Sequence, residues 1–165
     1  MKLPDFTEHF RREEVKPLRF RSRPDGNYKH EVHYLSGYLH DARFTAASVV
    51  RRGQTLRVDF DRDCWELGLV RRPASSELYI AKSRFTIAPV ADLRWDIDDP
   101  ATLTRELWVE NIYLGPDHWE VPGASELVLS APHGGWRMRI EIDDDVADIR
   151  LRDLEKPYLY SSRQG

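Results

Sequence analysis

The chain has 165 residues, of which 41% are hydrophobic, 32% charged and 11% aromatic, with a net charge of −3. That aromatic content excludes a disordered or fibrous chain, and the length suits one domain, 1–165, with a sizeable core. A lone cysteine, Cys64, excludes an internal disulfide framework and any multi-cysteine zinc or iron–sulfur site, and no apolar run nears the roughly 18 residues of a membrane helix.

The first thirty residues carry eight Lys or Arg against five acids and read as a basic N-terminal arm ahead of an acidic body. The opening Met1-Lys2-Leu3-Pro4 places a charge and a proline where a signal peptide needs an apolar segment, so the expected location is cytoplasmic. Asp5 as a cap, with Phe6 and Phe10 four apart, predicts a short helix over 5–14, which Pro17 stops. Arginines and lysines release counterions when they meet phosphates. No arginine run, recognition-helix pattern or aromatic–glycine signature accompanies them, so nucleic acid is not an expected partner. A solvated arm folded across the acidic body is the expectation.

Over 31–155 the dominant period is two, the mark of half-buried strands. Leu56-Arg57-Val58-Asp59-Phe60-Asp61 alternates apolar and polar, as do Trp136 to Asp143 and Ala147 to Arg152. Further strands are predicted at 32–40, 43–51, 64–70, 77–88, 106–114 and 125–132. In the first of these, Leu35 and Leu39 enter the core while Tyr34, Tyr38 and His40 line the other face. Asp98-Asp99-Pro100 reads as a helix start, cap then proline, so one turn of helix or loop is expected at 100–104. Gly134-Gly135 between alternating runs is a hairpin signal, and the last three strands, 125–152, read as a continuous antiparallel meander. The residues 156–165 read as a fraying tail. The expected fold is all-β, a single antiparallel sandwich or flattened barrel of about nine or ten strands with a short N-terminal helix or arm.

Catalytic patterns are sparse. His30, His33, His40 and Asp41 suggest a metal cluster, but on an extended strand they scatter over both faces and some 33 Å. Asp59, Asp61 and Asp63 share one strand face, without the spacing of a calcium loop, and pairing with arginines on a neighbouring strand is expected for them. Cys64 lies among acids, a poor setting for a thiolate, and reads as a small core or edge residue. No nucleophile elbow, phosphate loop or dinucleotide fingerprint is present, and no metal or cofactor is expected.

Two loops stand out: Gly115 to Gly123, with Asp117, His118 and Trp119, and Ala131 to Trp136, with His133 and Trp136. Their tryptophans either fold back to cap the core or offer flat platforms to a sugar ring or a partner's side chain. The run Leu39-His40-Asp41-Ala42-Arg43-Phe44, followed by Gly53-Gln54 and Leu56 to Phe60, resembles the first hairpin of small bacterial β-rich domains, some of which look like toxin-immunity proteins. The resemblance implies a bacterial, cytoplasmic, non-catalytic module and supplies no site residue. The leading expectation is a binding module, monomeric or homodimeric, that takes a protein partner or a small ligand such as a saccharide through Asp117, His118, Trp119, His133 and Trp136. The rival is a metal-assisted or carboxylate-based hydrolase assembled from His40, Asp41, His118 and His133.

Overall fold

Period-two burial organises two antiparallel sheets. The computed structural model describes residues 15–23, 32–67, 69–72, 75–115, 126–143 and 146–160, giving the backbone only for 69–72 and 75–76. The predicted helix over 5–14 and the loop residues Asp117, His118 and Trp119 lie outside the described residues.

In chain order the strands are β1 (Arg19–Ser22), β2 (Arg43–Thr45), β3 (Val49–Arg52), β4 (Thr55–Asp63), β5 (Leu69–Arg72), β6 (Ser75–Ala88), β7 (Val90–Ile97), β8 (Glu106–Trp108), β9 (Asn111–Gly115), β10 (Glu126–Ala131), β11 (Trp136–Ile142), β12 (Asp148–Asp153) and β13 (Tyr158–Tyr160). The larger sheet runs β1-β12-β6-β4-β2-β8, with β3 beside β4, and with β5 and β13 flanking the first half of the long β6. The smaller runs β7-β11-β10-β9. Among the described residues neither closes into a barrel, so the sandwich is the form that the alternation takes. The chain changes sheet at the cis Ala88–Pro89 bond, between β6 and β7.

Between the sheets Leu56, Val58 and Phe60 of β4, Phe85 and Ile87 of β6, Leu127 and Leu129 of β10, and Met138 and Ile140 of β11 form one core. Each is 2% exposed or less. Burying such a side chain stabilises by roughly 1.5–3 kcal/mol.

Four sequence expectations need correction. Residues 32–39 are a helix, α1 (Val32–Leu39), and not a strand. Val32, Leu35 and Leu39 recur at the i, i+3, i+7 spacing of one helical face and are all buried, so the core accepts a helix where period two predicts a strand. The meander breaks after β11. That strand pairs with β10 and with β7, a strand the sequence reading passed over, while β12 crosses to the larger sheet and pairs with β6 and β1. Part of the basic arm is sheet, since β1 lies against β12, and part of the tail is β13, paired with β6. Thirteen strands are described instead of nine or ten: β1, β7 and β13 lie outside the expected runs, and 43–51 and 106–114 each divide in two, the first at a 3-10 turn over Ala46–Ser48.

The helix start at Asp99-Pro100 is present: Asp99 caps a 3-10 helix over Pro100–Thr104, its side chain accepting from the Ala101 amide at 2.9 Å. Gly135 closes the β10–β11 hairpin in the left-handed region, φ 71°, which glycine adopts without steric cost. No helix among the described residues is long and apolar enough to cross a membrane.

Candidate functional site

A hollow of about 350 Å³ opens where three segments distant in sequence meet. The turn after α1 supplies Asp41, the stretch from the 3-10 helix through β8 supplies Arg105, Glu106 and Trp108, and the β10–β11 turn supplies His133 and Trp136. Asp41 holds a left-handed backbone, φ 62°, and its amide donates to the Val109 carbonyl at 2.9 Å, while Val109 returns a bond to Ala42. These bonds tie the helix end to the exit of β8. The Glu110 amide donates to Ser130, which brings Glu110 beside the hairpin turn, and there the His133 Nδ1 lies 3.0 Å from the Glu110 carboxylate.

The left-handed turn also brings His40 and Asp41 together, Nδ1 to Oδ1 3.3 Å, where an extended strand would point them apart. Asp63 stands nearby, with Arg43 donating to it at 3.2 Å. Burial raises the Asp63 carboxyl above its ordinary value, Arg43 opposes that shift and the charge of Asp41 adds to it. Among the described residues no three His, Cys, Asp or Glu side chains are grouped to hold a metal ion.

The two tryptophans at the hollow differ in kind. Trp136 is 4% exposed and packs its ring against Phe44 and Trp95, with centroids 5.4 and 6.0 Å away, so it is the floor and part of the core. Trp108 is 50% exposed, with the Arg43 guanidinium 5.8 Å from its ring centre. The sequence reading missed Trp108. The signal was there: Leu107 and Val109 are buried on either side of it, so period two already turns Trp108 outward. His133 is almost fully exposed at the rim.

Elsewhere the acidic strand behaves as expected in part. Asp59 pairs with Arg84 directly across the sheet at 2.7 Å, and the Arg84 hydrogen bond holds its carboxyl below the usual range. Cys64 is fully buried, and burial first, with the neighbouring acids after it, pushes its thiol up to about 12. Next to it lies a feature that no pattern announced. Arg62 is fully buried and donates to Asp153 at 2.8 and 2.9 Å and to Glu66 at 2.9 and 2.7 Å. Ser83 Oγ donates to Asp153 as well, at 2.6 Å, and so does the Leu18 amide at 2.7 Å. Burial alone would lower the Arg62 pKa, but its bonds to Glu66 and Asp153 raise it.

Comparison with protein-family models, with curated proteins and with solved structures finds no match to this chain.

Proposed function

We propose that the chain is a non-catalytic binding module whose site is the hollow between Trp108 and the 131–136 turn, and that it takes a small donor-rich ligand such as a saccharide. One observation carries the reading: an exposed indole and three carboxylates, Asp41, Glu106 and Glu110, converge on a hollow of about 350 Å³. Small-molecule sites run from roughly 300 to 1,000 Å³, with an apolar floor and a few polar groups. Ionised carboxylates only accept hydrogen bonds, so they select hydroxyls or ammonium groups, and the Trp108 face offers a sugar ring its apolar side. Arg105 supplies the opposite charge at the same rim.

The test is a thermal-shift screen against mono- and disaccharides. A ligand at a hundred times its Kd stabilises by about 2.7 kcal/mol, a shift of several degrees at this size. Trp108→Ala is expected to abolish the shift while leaving the unliganded Tm nearly unchanged. A shift that survives Trp108→Ala, or no shift with any sugar, sinks the reading. The buried, proton-favouring Asp63 beside Asp41 supports carboxylate-based hydrolysis as a second reading. Cleavage of a bound disaccharide, lost in Asp41→Asn, would select it.

A further inference from the structure

The outer face of the larger sheet is arginine-rich on one side, and register makes it so. Arg19 of β1 lies directly opposite Arg152 of β12, which lies opposite Arg84 of β6. In the next outward row Arg21 lies opposite Arg150. Phe20, Ile149 and Leu151 take the alternate positions and point to the core, so the arginines point to solvent.

Asp148 serves Arg21 at 2.9 Å, Arg150 at 2.8 Å and the neighbouring Arg23 at 3.7 Å, and Asp59 serves Arg84 at 2.7 Å. Arg19 and Arg152 have no ion pair with a described residue. Like charges directly opposite on neighbouring strands destabilise a sheet. Arg19 and Arg152, directly opposite each other, are therefore the pair that an anion from outside would relieve.

A second observation narrows the anion. Strand β13 continues the line of β12 along β6, pairing Tyr158 with Ile80 and Tyr160 with Leu78. Ile80 and Leu78 alternate in phase with Arg84 on the same strand, so both tyrosines share the arginines' face, and they are 48% and 50% exposed. From Ile80 to Arg84 is about 13 Å at roughly 3.3 Å per residue.

We propose that this face binds single-stranded nucleic acid, with Arg19, Arg152 and their neighbours on the phosphates and Tyr158 and Tyr160 stacked under bases. A cationic track beside exposed aromatic rings is how single strands are held without sequence preference. An acidic peptide or an anionic bilayer would neutralise the arginines and leave the tyrosines without a role, whereas a nucleotide strand uses both. The site shares no residue with the hollow and stands independently of the saccharide reading.

The experiment is fluorescence anisotropy of a labelled 15-nucleotide uridine strand with the full chain, from 50 to 200 mM salt. Three to four phosphate contacts give a slope of log K against log salt of about −2 to −3, from roughly −0.7 per phosphate. Arg19→Ala with Arg152→Ala is expected to flatten the slope by about 1.4. Tyr158→Ala with Tyr160→Ala is expected to weaken binding at least tenfold, and the double Tyr→Phe variant to restore it, because phenylalanine keeps the stacking face. Trp108→Ala is expected to leave binding unchanged. No binding at 50 mM salt overturns the proposal. So does heparin binding of equal strength that is indifferent to the tyrosines, or binding to phosphatidylserine vesicles without binding to the oligonucleotide.

Discussion

Arg62 and Arg152 carry the same guanidinium and meet opposite fates. Arg62 is fully buried, with Asp153 and Glu66 on its two edges, and the cluster joins five parts of the chain: β4, the 3-10 turn Trp65–Leu67, β6, the end of β12 and the Leu18 backbone ahead of β1. Arg152 is one residue from Asp153, yet its side chain leaves the opposite face and stands exposed beside Arg19. The pleat alone separates them, because successive residues of a strand face opposite sides. A buried charge must be paired where it sits, whereas an exposed one is free to wait for a ligand. The cluster therefore holds the fold together, and the arginine face is available for function.

Cutting the closed cluster sharpens this contrast most. Asp153→Ala leaves Arg62 buried with part of its partners gone and is expected to cost about 3–5 kcal/mol in urea unfolding. A cost near zero would mean that water reaches Arg62 and that the cluster is not closed.

The next effect is chemical. The buried Cys64 thiol, pushed up to about 12, is expected to react with a disulfide reagent at pH 8 only as fast as the native chain opens. Asp153→Ala should speed that labelling, and labelling at the rate of a free thiol in the parent chain would contradict the burial.

Acid acts on the open carboxylates in one direction and on a closed one in the other. Asp59 and Asp148 have lowered pKa values: Asp59 through the Arg84 bond, and Asp148 because bonds from Arg21 and Arg150 outweigh its burial. Their stabilising contribution is present above the ordinary carboxylate range, near 3.9, and is lost as pH falls through their lower folded values. Asp63 is raised by burial, so the folded chain binds its proton first and gains stability from this group as pH falls through its folded value. A Tm profile from pH 7 to 2 is expected to fall less steeply above pH 4 in the parent chain than in Asp63→Asn. An identical profile in the two would remove Asp63 from the account.

The smallest effect belongs to the open face, where Arg152→Ala is expected to change stability by no more than about 0.5 kcal/mol. A larger loss would show that Arg152 has a structural partner and weaken the case for a binding surface.

The strand class of most of the chain, the Asp99-Pro100 helix start and the Gly134-Gly135 hairpin are all legible in the residues, because alternation, capping and glycine turns are local physics. The sequence also made Cys64 a small core or edge residue, of which the structure selects the core, and paired the Asp59 strand face with arginines across the sheet. The helix at Val32–Leu39 was legible too, in the spacing of Val32, Leu35 and Leu39, but that spacing is short enough to be read as a strand beside so many others. Which strands become neighbours was settled by the folded chain alone. Register put Arg19 opposite Arg152 across more than a hundred residues, carried β12 away from β11, brought Asp153 to Arg62, and set Asp41, Trp108 and His133 around one hollow. Pairing between distant strands is settled by the shared burial of their inner faces. The charges and rings on the outer faces are carried to their places by that burial, and no spacing along the chain records where they arrive.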